Sequence, residues 1–517
     1  MSPFLRKVPT GSGATAVQIV SKRGGQRKIL EHLGSAHTES ELALLMQIGR
    51  EKLNAEQGTL DLGLEEEPSA QAVVRSTRSG ILINAIRASY AALGFDEAVN
   101  DEAFFQMVLA RLVEPTSKAD GVRVVRELGM DARHRNSLLA SLKRANERDY
   151  RGKLADKCLH HVIETGGIAL LMYDVTTLYF EADDEDDLRK VGYSKERRVD
   201  PQIVVGLLVD RNGFPLDIAC YEGNKAETHT FIPFLTDFIT RHQIADMVVV
   251  ADAGMFSLQN MSAVEEANMR FIVGSRTSKA PLDLAHHFHW HGTYARDGQI
   301  VDTLTPRKHT RKDNPTHSKR ARPAWDPARH PQAWRAVWQY RRKRAMRDER
   351  TLNQQRNRAL AVIDGDSKPK PVRFVQAKGG ARTFNQDSYD KASDLAGWKG
   401  YVTNIPAQVM SAEEVVSSYH DLWKVEQSFR MAKSDLDARP IFHYTRETIE
   451  AHLTVVFASL AVARYMYAQT GITTPKIVKA LKPLQEVTIT VAGQQITANP
   501  EITEENRRIL THLNAMP

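Results

Sequence analysis

Cysteine is almost absent: only Cys158 and Cys220 occur in 517 residues. Two thiols support neither a zinc site nor a disulfide framework, and a reducing cytoplasm is the natural compartment. Long apolar runs are missing too. The most apolar stretch, His452 to Tyr467, contains His452, Thr454, Ser459 and Arg464, so it reads as a buried helix and not a bilayer span. The opening residues, MSPFLRKVPTGSG, show no apolar signal core. There is no GxxxxGK[ST] loop, so ATP use is not implied. There is no Gly-rich first turn of a doubly wound nucleotide-binding fold, and no nucleophile elbow around Ser257. Internal repeats and extended low-complexity tracts are also lacking.

What is present is an ordinary globular composition, 42% hydrophobic, with net charge +7. The length suits roughly three or four domains. The excess positive charge is compatible with nucleic acid, and its distribution is uneven. Between Arg307 and Arg350 lie RKHTRK, SKRAR and RRKRAMR, interleaved with Trp325, Trp334, Trp338 and Tyr340. Cations for phosphates beside flat rings for bases favour DNA contact over a solvated loop.

Residues 16–34 alternate at period two around Arg23-Gly24-Gly25 and predict a hairpin. A helix follows from about Thr38 to Leu53, with Thr38 as N-cap and Glu41 three residues on. Residues 54–78 read as an acidic linker. Residues 79–165 are nearly all helix, including 102–113, 118–128 and 135–145, either a helix-turn-helix-like DNA reader or a helical support. Strands are expected at 167–174, 202–209, 214–221, 246–252 and 271–274, with helices at 227–242 and 257–268. Three antiparallel strands followed by helix-separated strands predict an α/β fold with a ribonuclease H-like mixed sheet. A large basic insertion at 276–400 interrupts it. A strand at GYVTNI then leads to a helix from Ser411 to about Ser434 and another from about Arg446 to Ala468. A hairpin is expected around Val491 to Gln494, in a tail that ends in a helix. The expected modules are thus 1–60, a helical DNA-binding 79–165, a catalytic core in 166–275 and 401–470, the insertion, and a tail at 471–517.

Three acids stand out. Asp174 closes GIALLMYD, Asp252 closes DMVVVAD, and Glu426 sits at the centre of YHDLWKVEQSFRMAK. In a ribonuclease H-like core both strand ends and the face of a following helix converge. Three gathered carboxylates repel unless a cation lies between them, and an all-oxygen set suits Mg²⁺ or Mn²⁺. In a basic protein that points to phosphodiester chemistry. On a helical wheel Tyr419, Glu426 and Lys433 share one stripe with Arg430, while Leu422, Val425, Phe429 and Leu436 form the apolar stripe beside it. The bland reading of that helix is a surface one, with Glu426–Arg430 as an ordinary pair.

These residues resemble those of bacterial insertion-sequence transposases with an Asp-Asp-Glu triad, in the group marked by Tyr-x2-Arg-x3-Glu-x6-Lys. That signature reads Tyr419, Leu422, Glu426 and Lys433 here, with Leu in place of Arg. YDVTTLYF (173–180), YEGNKAE (221–227), residues 439–464 and the basic N-terminal hairpin are similar as well, and the likeness is weakest at 54–100 and 305–370. The resemblance implies a ribonuclease H-like catalytic domain holding two divalent ions on Asp174, Asp252 and Glu426. It implies that Tyr419 and Lys433 grip phosphates at the element's end, with Arg430 covering part of the missing arginine's role. The expected partners are double-stranded DNA, both inverted-repeat ends and target, and a second copy of the chain, in a bacterial cytoplasm with no membrane. The alternatives are an inactive DNA-binding derivative and a metal-dependent nuclease without strand transfer. The histidines of HHFHWH (286–291) read as a polar loop, and DDEDD (183–187) as a solvated acidic loop.

Overall fold

The structure, a computed structural model, describes residues 3–10, 14–23, 26–55, 73–166, 170–181, 184–192, 200–226, 229–244, 247–254, 257–307, 324–366, 372–378, 381–439, 441, 443–491 and 494–516. The chain divides into two compact units, residues 1–72 in one and residues 73–490 with 494–517 in the other. In the first, β1 (Phe4–Pro9), β2 (Thr15–Arg23) and β3 (Gln26–Ala36) form an antiparallel sheet, the expected hairpin plus one strand. Helix α1 (Glu39–Ala55) begins with a capping box. The Thr38 hydroxyl accepts from the Glu41 N–H at 3.2 Å, and the Glu41 carboxylate accepts from the Thr38 N–H at 3.2 Å.

The second unit opens with β4 (Val73–Arg78), in what the sequence suggested was linker. Six helices follow: α2 (Gly80–Ala92), α3 (Phe95–Val99), α4 (Glu102–Val113), α5 (Lys118–Glu127), α6 (Arg135–Glu147) and α7 (Tyr150–Thr165). Side-chain caps set the starts of four of them, α4 to α7. Asp101 accepts from the Ala103 N–H of α4, and Ser117 from the Asp120 N–H of α5.

Next come β5 (Leu170–Tyr179), β6 (Gln202–Asp210), β7 (Pro215–Glu222), α8 (Phe231–His242), β8 (Val248–Ala251), α9 (Leu258–Glu266) and β9 (Arg270–Gly274). Strands β5, β6 and β7 form an antiparallel meander, while β8 pairs parallel to β5 and β9 parallel to β8. The order β7-β6-β5-β8-β9 is the ribonuclease H-like core the sequence predicted. The fully buried β6 explains its unbroken apolar run. Two boundaries differ from expectation. Helix α8 starts at Phe231. Strand β5 does not end at Asp174 but runs on to Tyr179, because β6 stays paired with it while β8 leaves after Val250 faces Met172.

The insertion contains α10 (Ala280–Asp283), α11 (Ala285–His291), β10 (Ile300–Pro306), β11 (Ala333–Tyr340), α12 (Arg342–Ile363), β12 (Val375–Lys378), β13 (Ala381–Phe384) and α13 (Gln386–Asp394). Strand β14 (Trp398–Thr403) follows and pairs antiparallel to β9, β11 to β14 and β10 to β11, extending the core to eight strands. The tryptophans are therefore not a base-stacking row. Trp334 and Trp338 are 1% exposed because β11 is an interior strand buried along nearly its whole length, and Trp325, 7% exposed, clusters with Leu304 and Ala333. Most of RKHTRK and all of SKRAR lie outside the described residues.

The chain ends with α14 (Ala412–His420), α15 (Trp423–Arg430), α16 (Arg446–Thr470), α17 (Thr474–Leu481), β15 (Glu486–Val491), β16 (Gln494–Ala498) and α18 (Glu504–His512). Helix α16 is long and apolar enough to cross a membrane, but 94% of its most apolar window is buried inside the protein, as expected of a core helix. It packs on α2, α4, α6, α7 and β7, so the helices of 79–165 and the sheet share one hydrophobic cluster. The predicted tail hairpin is present, and β15 pairs with β4.

Candidate active site

Strands β5 and β8 run parallel and side by side, and their ladder ends at the Met172–Val250 pair, two residues ahead of Asp174 on one strand and of Asp252 on the other. Asp174 is half-buried within β5, and its carboxylate accepts from the Val175 N–H at 2.8 Å. Asp252 is exposed, just past the end of β8.

The segment carrying Glu426 crosses over these strands, α14 packing on β8 and β9 and α15 on β5 and β6. It is not the single helix the wheel assumed. A capping box fixes its start: Ser411 accepts from the Glu414 N–H, and Glu414 from the Ser411 N–H. The spiral then tightens. Leu422 N–H donates to Tyr419 O at 3.1 Å and Val425 N–H to Leu422 O at 3.1 Å, the i→i+3 bonds of a 3₁₀ turn. After α15 the turn widens into a π-helix, Met431–Asp435, with Leu436 N–H donating to Met431 O at 3.0 Å. The stripe therefore shifts at both ends of α15.

Burial of Val425 and Phe429 seats α15. The β6–β7 turn holds it from behind. Ser428 Oγ donates to Gly213 O at 2.8 Å and Lys424 Nζ to Arg211 O at 3.0 Å. Gly213 adopts φ +78°, and a Cβ there would lie 2.2 Å from the Arg464 guanidinium. Glu426 is left exposed, and no ion pair joins it to Arg430 or to any other described cation.

Tyr419 is 8% exposed, and its hydroxyl donates to Asp252 Oδ1 at 2.6 Å. Burial raises its phenol pKa first; the bond to Asp252, that carboxylate's charge, Tyr401 and Glu426 add to the rise. Lys433, on the π turn, donates from Nζ to Thr176 Oγ1, on β5 two residues past Asp174. Arg430 is exposed on the last turn of α15. Leu422, at the signature arginine's position, is buried in the main cluster, so its side chain belongs to the core.

Three residues were not anticipated. Lys399, on β14, sits with its ammonium 5.2 Å over the Tyr419 ring. Burial lowers its pKa, the Asp252 charge opposes that, and Arg344 adds to it. Tyr401, two residues along the same strand face, lies 4.8 Å from Tyr419 between ring centroids. Gly274 ends β9, and a Cβ there would come within 2.8 Å of the Tyr419 hydroxyl, so the bare backbone lets the phenol reach Asp252. Alternation in WKGYVT was the signal available for the first two.

Among the described residues no group of three or more His, Cys, Asp or Glu side chains is gathered closely enough to hold a metal ion. The histidines of HHFHWH lie on α11, a helix and not the expected loop. In DDEDD, Asp186 caps a turn, accepting from the Leu188 N–H at 2.8 Å. Asp174, Asp252 and Glu426 still supply the all-oxygen donor chemistry a hard divalent cation needs.

Residues 165–462, more than half of the chain, match the family described as the transposase DDE domain. No curated protein sequence matches. A solved structure, the piggyBac transposase synaptic complex with hairpin DNA, is similar at 11% identity and a TM-score of 0.39, over 78% of this chain and 76% of that one. The chain belongs to the transposase DDE-domain family, whose members generally use divalent metal ions.

Proposed function

We propose that this transposase cuts at the ends of a bacterial insertion sequence and joins the freed 3′ ends to target DNA, using Asp174, Asp252 and Glu426. One observation carries the reading: a single helical segment ties down both aspartate strands. Tyr419 holds Asp252, Lys433 holds Thr176 beside Asp174, and Glu426 lies between them in sequence. Asp174, Asp252 and Glu426 would hold two Mg²⁺ or Mn²⁺ ions. When bound, such ions lower the pKa of an attacking water and stabilise the leaving oxygen.

The chain's own groups do the rest. The Tyr419 hydroxyl orients the Asp252 carboxylate, as a partner behind a metal ligand does. Arg430 and Lys433 hold DNA phosphates against the acids, and Lys399 adds a cation beside Asp252. Basic residues of 307–350 extend the DNA contact. Two copies work together, each on one inverted-repeat end, in the bacterial cytoplasm at the nucleoid.

The test is incubation with DNA carrying the flanking inverted repeats plus Mg²⁺, with each nick mapped to the base. Asp174→Asn, Asp252→Asn and Glu426→Gln should each abolish cleavage and keep end binding. A near wild-type cleavage rate in any one of them overturns the triad. Binding without cleavage by the unaltered chain would establish the inactive derivative instead, and cleavage without joining the simple nuclease.

A further inference from the structure

Away from the acids, between the helical region and the stretch after the π turn, lies a cavity of about 240 Å³. Arg111, Lys118, Arg135, Arg439, His443 and His452 line it, and Asp437 is the one carboxylate on its wall among the described residues. We infer that this cavity is a phosphate site, and that the phosphate belongs to the DNA backbone.

The argument starts from charge. Lys118 Nζ meets His452 Nδ1, and the His443 and His452 rings lie 5.6 Å apart. Arg111 is spent on structure, donating to Leu436 O at 2.6 Å and Asp437 O at 2.9 Å, and the latter residue sits at φ +43°. Gathered cations repel, so without an anion several must give up their protons. Burial, then Lys118 and Arg111, push His443 down to about 3. Burial and Arg111 push Lys118 well below its usual value. A group with several negative oxygens reverses that repulsion and supplies acceptors that the wall, rich in N–H donors, lacks. Apart from the imidazoles no ring lines the cavity among the described residues, so it offers a phosphate a seat and a nucleobase none.

Position favours DNA over a free anion. The Arg439 guanidinium lies 5.1 Å from the Tyr179 ring, at the end of the strand that carries Asp174. Five residues of strand span roughly 17 Å, about five phosphates along one DNA strand. A duplex cut at the acids therefore has a phosphate within reach of the cavity. This source rests on the DNA-cleaving reading above; the anion site does not.

The experiment has two arms on the full chain. Inorganic phosphate is titrated calorimetrically into wild type, Lys118→Gln and Arg135→Gln; Arg135 is exposed, so its variant keeps the fold. Inverted-repeat duplex binding is then measured against salt. Phosphate should bind the wild type and bind each variant about tenfold more weakly. Each variant should also lower the slope of log affinity against log salt by about one. Absent phosphate binding, or equal binding in all three, overturns the site. Phosphate binding lost in the variants with an unchanged DNA slope overturns the backbone source and leaves a free-phosphate pocket. A wild type that binds phosphate but never cleaves DNA refutes the proposed function while leaving the anion site standing.

Discussion

Tyr419→Phe removes one oxygen from the candidate site and little else. The ring keeps its packing on Tyr401 and the Lys399 ammonium above it. What goes is a hydrogen bond of 2.6 Å to Asp252, in the short charge-assisted range. Such a bond contributes about 1.5–3 kcal/mol, and the exposure of Asp252 puts this one at the lower end. Folding stability should fall by about 1.5 kcal/mol, read from the denaturant midpoint. Losing a residue that orients a metal-ligating carboxylate costs about 10–100-fold in affinity or activity. The variant should therefore need more Mn²⁺ for half-maximal cleavage and cut about 10–100-fold more slowly at a fixed low Mn²⁺ concentration. End binding without metal should not change. Gly274→Ala, which crowds the same hydroxyl at 2.8 Å, should move metal dependence in the same direction. Wild-type metal dependence in Tyr419→Phe would refute this reasoning. Weaker end binding with unchanged metal dependence would restore Tyr419 to the phosphate-gripping role its resemblance suggested.

Two further predictions concern the insertion. Arg335 is 1% exposed, pairs with Asp302 at 2.6 Å, and donates to Ile405 O at 3.1 Å and Met410 O at 2.7 Å just ahead of α14. Arg335→Met should cost about 3–5 kcal/mol by removing the buried guanidinium's bonds to that carboxylate and those carbonyls; a shift near zero in chemical denaturation would show the clamp to be dispensable. Burial pushes the Asp283 carboxyl up to about 7, although its Oδ2 accepts from the Trp338 indole N–H at 3.0 Å. The folded chain then holds this proton longer than the unfolded chain, so stability is present below about pH 4 and is lost as pH rises to about 7. That loss is roughly 4 kcal/mol at most. Asp283→Asn should flatten the window and stabilise the chain at pH 8, and an unaltered stability–pH curve would contradict the assignment.

Local signals in the sequence carried most of the core. The continuous apolar strand at 202–209 and the cap Thr38 are short-range effects, and each appears where the pattern put it. The errors have long-range causes. The continuation of β5 past Asp174 depends on β6, a partner more than twenty residues away. The pairing of β4 with β15 joins residues more than four hundred positions apart, and neither strand signals the other. The tryptophans looked like a nucleic-acid surface because aromatic rings mixed with cations are the same composition whether a sheet buries them or leaves them out. The wheel found the members of the Glu426 segment but missed its geometry, because tightening at Leu422 and widening at Met431 arise from tertiary packing. Lys399 and Gly274 reach the site only through sheet pairing across the insertion.

The insertion's strands reach the core through β14, and β14 joins it by a narrow seam. Only Ile272, Val273 and Gly274 of β9 pair with β14, whereas seven residue pairs bind β10 to β11. A five-stranded core alone would end at β9 with a bare row of amides and carbonyls, a template for another chain's strand. The graft seals that row and brings its own polar rim with it. A truncation that stops short of the seam would therefore expose a sticky margin and aggregate more readily than the whole chain.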